Sequence, residues 1–181
     1  MSEIDFLKKY FNNLKNLLDN EKYFEDLIKV KNILKKTHQE GKKTLIFGNG
    51  GSAAIASHFS VDMTKNAKVR CVNFNEADLI TCFSNDYGYE KWLEKSISFY
   101  CKKDDCLILI SSSGKSKNII NAAKFAKKKK MFLITFTGMK KNNPVSRYGN
   151  LNFWVDSKKY NTIENTHQIL LTLASDILSK T

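Results

Sequence analysis

From Gly41 onward the chain consists of short, continuously apolar runs, each followed by a stretch with helical spacing. The runs cover residues 44–47, 69–74, 106–110, 131–136 and 151–155. Helical stretches near 52–66, 76–82, 89–100 and 116–129 separate them, and a last helix spans 162–178. A strand that is apolar at every position is buried on both faces, and strands that alternate with helices pair in parallel. The pattern predicts an α/β fold, a three-layer sandwich around about five parallel strands, of the doubly wound, flavodoxin-like kind. Residues 1–40 read as an N-terminal helix pair, with Phe6, Tyr10, Leu14, Leu17 and Leu18 on one stripe and Phe24, Leu27, Ile28, Val30, Ile33 and Leu34 on the next. This pair has no sheet of its own, so it must pack on the sandwich or on another subunit. One domain over 1–181 is expected, with 1–40 helical and 41–181 forming the sandwich.

A chain of 181 residues buries enough surface to fold without disulfides or metal staples. No apolar run approaches the roughly 20 residues of a membrane helix, and MSEIDFLKKY holds no apolar signal segment. A soluble, cytoplasmic protein is expected. Cys71, Cys82, Cys101 and Cys106 form no C-x-x-C pair and no zinc-finger spacing, so they read as reduced structural thiols. The net charge of +12, from 30 Lys+Arg against 18 Asp+Glu, favours anionic partners. Nucleic acid is not the expected one: the cations form no aromatic-interleaved patch or known motif, and runs such as 124–130 sit on solvated helix faces.

Two loops narrow the partner to a phosphate ester. Gly48-Asn49-Gly50-Gly51-Ser52-Ala53-Ala54 follows the first strand directly. Glycines turn the backbone tightly, and Ser52 is expected to cap a helix whose free N–H groups attract an anion. It is neither a Walker A loop nor G-x-G-x-x-G, and such a turn alone is weak evidence. Ser111-Ser112-Ser113-Gly114-Lys115-Ser116 follows the third strand and leads into another helix. Alone it could be a solvated loop. Two such loops at the carboxyl ends of parallel strands lie where ligands bind in open α/β sheets.

GNGGSA, a helix bearing His58, then Asn85-Asp86 and SSSGKS together resemble the SIS (sugar isomerase) domains of sedoheptulose-7-phosphate isomerases, the phosphoheptose isomerases. The likeness runs over nearly the whole chain. It implies that Ser111, Ser112, Ser113 and Ser116 hold a sugar phosphate. Asn49, Gly50, Gly51 and Ser52 would face the sugar, and Asn85 and Asp86 would bind its hydroxyls. It also implies a homo-oligomer, typically a tetramer with sites between subunits, and a role in heptose or surface-polysaccharide precursor synthesis.

Aldose–ketose isomerisation moves a proton between adjacent carbons, so it needs a base, an acid near the oxygens and often a metal. His58 and Asp62 stand four apart on one helix face. On the last helix Glu164, Gln168 and Thr172 form a stripe, with His167 about 60° to its side. In the resembled isomerases His, Glu, Gln and His occupy the positions of His58, Asp62, Glu164 and Thr172; these four can hold zinc there, and the Glu and last His are base and acid. Asn161 stands where that family has Asp. Asp62 is one methylene shorter, Glu164 adds a charge, and Thr172 cannot act as an acid at neutral pH. The expectation is a catalytic set of Asp62, Glu164 and His167, with His58, Asp62 and Glu164 as ligands for Zn²⁺ or another divalent metal. Against it, a lone His58 on an Ala-rich helix reads more often as a partly buried packing histidine than as a ligand, His167 reads also as a subunit-contact residue, and Glu164 with Asn165 as helix caps. The competing function is a non-catalytic SIS phosphosugar-binding or interaction protein, resembling one that associates with the bacterial replication initiator.

Overall fold

The computed structural model describes residues 1–180. Within them the order is α1 (Glu3–Leu18), α2 (Glu21–Gln39), β1 (Thr44–Phe47), α3 (Gly51–Lys65), β2 (Cys71–Val72), α4 (Ala77–Tyr87), α5 (Trp92–Tyr100), β3 (Cys106–Ser111), α6 (Lys117–Lys128), β4 (Phe132–Thr137), β5 (Leu151–Trp154) and α7 (Tyr160–Ser179). All strand pairs are parallel, in the order β2-β1-β3-β4-β5. The expected three-layer sandwich is therefore present.

Continuous apolarity of the strands has the expected consequence, a separate core on each face of the sheet. On one side Ile46, Ile108, Ile110 and Phe136 pack with Leu27, Val30 and Leu34 of α2, Phe59 of α3, and Leu170 and Leu171 of α7. On the other, Leu45, Phe47, Leu107 and Leu109 meet Trp92, Leu93 and Ile97 of α5 and Ile119, Ala122 and Ala123 of α6. Each fully buried large side chain contributes about 1.5–3 kcal/mol, so the sheet interior is the anchor from which the loops project. At the sheet's amino edge Asp105, 1% exposed, accepts hydrogen bonds from the Lys43 and Lys102 amides and pairs with the Lys43 ammonium at 2.6 Å. That ties β1 to the start of β3, the two strands that carry the glycine and serine loops.

Three of the boundaries that differ from expectation bear on the site. β2 is two residues long rather than six, because Asn73 and Asn75 turn toward α3: Asn73 donates to Ser60 Oγ (2.7 Å), and Asn75 to Ser57 Oγ (2.8 Å) and the Ala53 carbonyl (2.9 Å). α4 runs on to Tyr87, so Asn85 and Asp86 lie in its last turn. α7 begins at Tyr160, so Glu164 and Asn165 stand inside the helix and cap nothing. α1 leans on α7, with Asn165 Nδ2 donating to Tyr10 Oη at 2.9 Å; it has no buried residue. Among the described residues no helix is long and apolar enough to cross a membrane.

Candidate active site

β1 delivers the first loop. Gly48 passes against the backbone of Ser52 so closely that a Cβ there would come within 2.6 Å of it. Gly50, at φ +55°, takes a left-handed conformation that suits glycine. This turn lets α3 begin at Gly51, with Gly50 as its N-cap and the Asn49 carbonyl accepting from the Ser52 amide at 3.0 Å. Ser52 is thus not the expected cap; it is the second helical residue, and its hydroxyl is left for the cavity beside it.

β3 delivers the second loop one strand away, since Phe47 pairs with Leu109 in register. Ser111 and Ser112 are buried, and Ser113 Oγ accepts from the Lys115 amide at 3.2 Å. Ser116 is the N-cap of α6 and its side chain makes no capping bond. Ser52, Ser111, Ser112, Ser113 and Ser116 surround a cavity of about 150 Å³, with Asn49, Tyr160 and Glu164 closing it. Larger clefts of about 640 and 610 Å³ lie under α1 and along β5, but neither receives both loops. The Ser111 hydroxyl is buried without a protein partner, a cost of about 1–3 kcal/mol unless a ligand or water accepts from it. The first-turn N–H groups of α3 and α6 add partial positive charge at the same place.

A polar seam leads away from this cavity between α3 and α7. Glu164 packs against Gly51, where any Cβ would meet its carboxylate, and accepts from Ser112 Oγ at 3.3 Å. One helical turn on, Gln168 Nε2 stands 3.1 Å from His58 Nδ1. The amide must donate, so Nδ1 accepts and the proton of the neutral ring lies on Nε2, 3.3 Å from Asp62 Oδ2. Asn66 donates to the other Asp62 oxygen at 3.2 Å. Two bonded segments, Ser112–Glu164 and Gln168–His58–Asp62, therefore lie one helical turn apart along the same seam. Thr172 does not extend it: its hydroxyl turns back onto the Gln168 and Ile169 carbonyls, 3.0 Å each.

Asn85 and Asp86 are bonded to one another at 3.0 Å on the exposed end of α4 and do not line the cavity. The segment that follows them does approach it, since Tyr89 Oη donates to Asn49 Oδ1 at 3.4 Å. His167 corrects the sequence expectation. It is 0% exposed, edge-on to Phe136, and donates from Nε2 to the Thr137 carbonyl at 3.1 Å. The 60° offset from the Glu164 stripe turns it into the core, and burial drives its pKa down to about 4. A neutral, enclosed imidazole cannot swing onto the stripe as an acid.

The metal expectation meets a donor set that does not converge. Both nitrogens of His58 are engaged within the seam, Glu164 faces Ser112, and Thr172 stands where a further imidazole would be needed. Among the described residues no three His, Cys, Asp or Glu side chains come together as a metal site. These residues do not fit a preformed zinc site. Two residues escaped the sequence reading. Tyr160 precedes the periodic part of α7, and only the early start of that helix puts it at the cavity. Asn118 read as an ordinary polar residue of a helix's first turn, yet it is 2% exposed and bonded to Asn49.

The model of the SIS domain family matches residues 9–138. The phosphoheptose isomerase of Thermodesulfovibrio yellowstonii is 36% identical over 172 residues, 87% of this chain and 85% of its own length. That of Cytophaga hutchinsonii is 32% identical over 130 residues, 69% and 68% of the two chains. Among solved structures, a phosphoheptose isomerase from Francisella tularensis superposes with a TM-score of 0.88 at 23% identity, covering 100% of both chains. That last likeness concerns the fold.

Proposed function

The chain belongs to the SIS-domain family, among the phosphoheptose isomerases, and from this premise we propose that it interconverts sedoheptulose 7-phosphate, or a close seven-carbon relative, with the corresponding aldose phosphate. The observation that carries the reading is that the polar seam starts at the serine cavity. A phosphate held by Ser111–Ser113 and Ser116 sends its carbon chain past Glu164 toward His58 and Asp62, so that one end is anchored while the other meets a carboxylate.

In this reading Asp62 takes a proton from C1 of the ketose as the C2 oxygen gains one, which gives an enediol. The same carboxylate then returns the proton to C2 while the C1 oxygen loses its own. Proton traffic between the two oxygens needs a second group. With His167 in the core, His58 is the imidazole of the seam that fills this role, oriented by Gln168 on one side and Asp62 on the other. Glu164 accepts from a sugar hydroxyl beyond the phosphate. Anchoring the phosphate end makes proton transfer effectively unimolecular, and a displacement of about 1 Å is enough to cost on the order of a hundredfold in rate. The shorter carboxylate at Asp62 therefore requires the substrate to sit closer to α3.

Assembly belongs to the same proposal. Ile4, Phe6, Leu7 and Phe11 of α1 are 47–65% exposed, which supports a homo-oligomer, a tetramer being the expected form, in which further copies cover this stripe. A cytoplasmic place in heptose precursor synthesis fits a phosphorylated, membrane-impermeant substrate. The test is conversion of sedoheptulose 7-phosphate by purified protein, followed by NMR. Appearance of the aldoheptose phosphate is expected. Unchanged ketose at micromolar enzyme over hours would overturn the assignment and favour a phosphosugar-binding protein, in keeping with the threonine at position 172.

A further inference from the structure

The two anion loops are fastened to each other by a side-chain pair that neither loop motif announces. Asn49 Nδ2 donates to Asn118 Oδ1 at 2.9 Å, and Asn118 Nδ2 donates back to Asn49 Oδ1 at 2.9 Å. Asn49 stands in the turn after β1; Asn118 is the second residue of α6, directly after the serine loop, and is 2% exposed. Two opposed amide bonds fix both distance and orientation, more than one bond can. The N–H groups of the two helix starts are thereby held at a set separation across the cavity.

The pair also limits what Asn49 can do. An amide oxygen accepts two hydrogen bonds and an amide nitrogen donates two. The oxygen is taken by Asn118 and, at 3.4 Å, by Tyr89 Oη, and one N–H is taken by Asn118. Only one donor is left for a ligand. Tyr89 brings a third segment to the same amide, and that segment is itself tied to α6: Glu90 pairs with Lys117 at 2.6 Å, and Asn121 Nδ2 donates to the Glu90 carbonyl at 2.9 Å. Asn49 is therefore a junction between β1, the start of α6 and the loop before α5.

We propose that Asn118 is a positioning residue for the isomerisation: through its reciprocal hydrogen bonds with Asn49 it sets the separation of the two anion loops and holds the remaining Asn49 N–H in place for a ligand. The inference rests on the isomerase reading above. A double-mutant cycle tests it, with Asn49→Ala, Asn118→Ala and the combination assayed for kcat and KM on the sugar phosphate. If Asn118 acts only through Asn49, each single change lowers kcat/KM by about 10–100-fold, the cost of a sub-ångström to 1 Å misplacement, and the double variant is no worse than Asn49→Ala alone. Effects that multiply, or an Asn118→Ala variant with wild-type kinetics, overturn the proposal.

Asn118→Asp guards against a variant that merely fails to fold. The new carboxylate still accepts from Asn49 Nδ2 but faces Asn49 Oδ1 without a proton. Protonation restores the second bond, so kcat/KM relative to wild type should rise as pH is lowered from 7.5 to 5. A flat or falling ratio contradicts the pair's role. Should wild type show no turnover, the isomerase reading fails on its own, and the same cycle is read from the phosphate-induced rise in Tm, where non-additivity is again required.

Discussion

Ser111 holds a buried hydroxyl with no protein partner, at the cavity that the two loops line together. Such a group is explained by what binds there. Inorganic phosphate or a sugar phosphate should therefore stabilise the protein, since a ligand that binds only the folded state adds about 2.7 kcal/mol at a hundred times its Kd. For a chain of this size that is a rise in Tm of about 5–10 °C. Ser113→Ala combined with Ser116→Ala should remove most of the shift in differential scanning fluorimetry; an undiminished shift would put the anion elsewhere. His167 carries a prediction of a different kind. Its pKa falls from 6.5 in the unfolded chain to about 4 in the folded one, so between these values the unfolded state binds more protons. The associated stability is complete above about pH 6.5 and drains away as pH falls to 4, by about 3 kcal/mol. His167→Gln keeps a donor for the Thr137 carbonyl and should flatten the acid limb of the stability curve over that window. An acid limb identical to wild type would contradict the burial argument.

The elements were legible in the sequence where apolar periodicity dominates, and obscure where side-chain hydrogen bonds overrule it. The five strands and the helices between them follow from runs such as 106–110, because a strand buried on both faces admits almost no polar residue. β2 is the exception that shows the limit. Val69–Val72 reads as the start of a longer strand, but Asn73 and Asn75 find partners on α3 and draw the chain off the sheet edge. The two loops were legible from glycine and serine alone as turns that meet at one place, whereas the Asn49–Asn118 pair was not, since it depends on β1 and β3 being neighbours. The offset of His167 on α7 was visible in helical angles, but its consequence was not; only the packing of Phe136 against that face shows that the ring is enclosed. At this scale α1 is the element to perturb. It has no buried residue in the single chain, so Phe6→Ser with Phe11→Ser should leave the protomer folded. It should raise the dissociation constant of the oligomer at least about a hundredfold, given about 1.5–3 kcal/mol per buried Phe. Sedimentation velocity at micromolar concentration reads this directly, and a wild-type monomer would refute the assembly.

For the whole molecule, the sheet sets two loops side by side, α6 and α3 begin at those loops, and α7 packs on α3 to bring Glu164 against Gly51 and Ser112 and Gln168 against His58. In the proposed reaction, phosphate recognition is concentrated at the strand ends, and proton transfer is displaced along the α3–α7 seam. The division has a consequence for variants: a change at Asp62 should leave phosphate binding intact while removing the chemistry. The measurement that probes this most directly is exchange of the C1 proton of sedoheptulose 7-phosphate with solvent in D₂O, followed by proton NMR for wild type and Asp62→Asn together with the phosphate-induced Tm shift. Wild type is expected to incorporate deuterium at C1 and C2, and Asp62→Asn to slow exchange by about 10²–10⁴-fold with its Tm shift retained. Absence of exchange in wild type, or undiminished exchange in Asp62→Asn, would contradict proton transfer by the seam carboxylate.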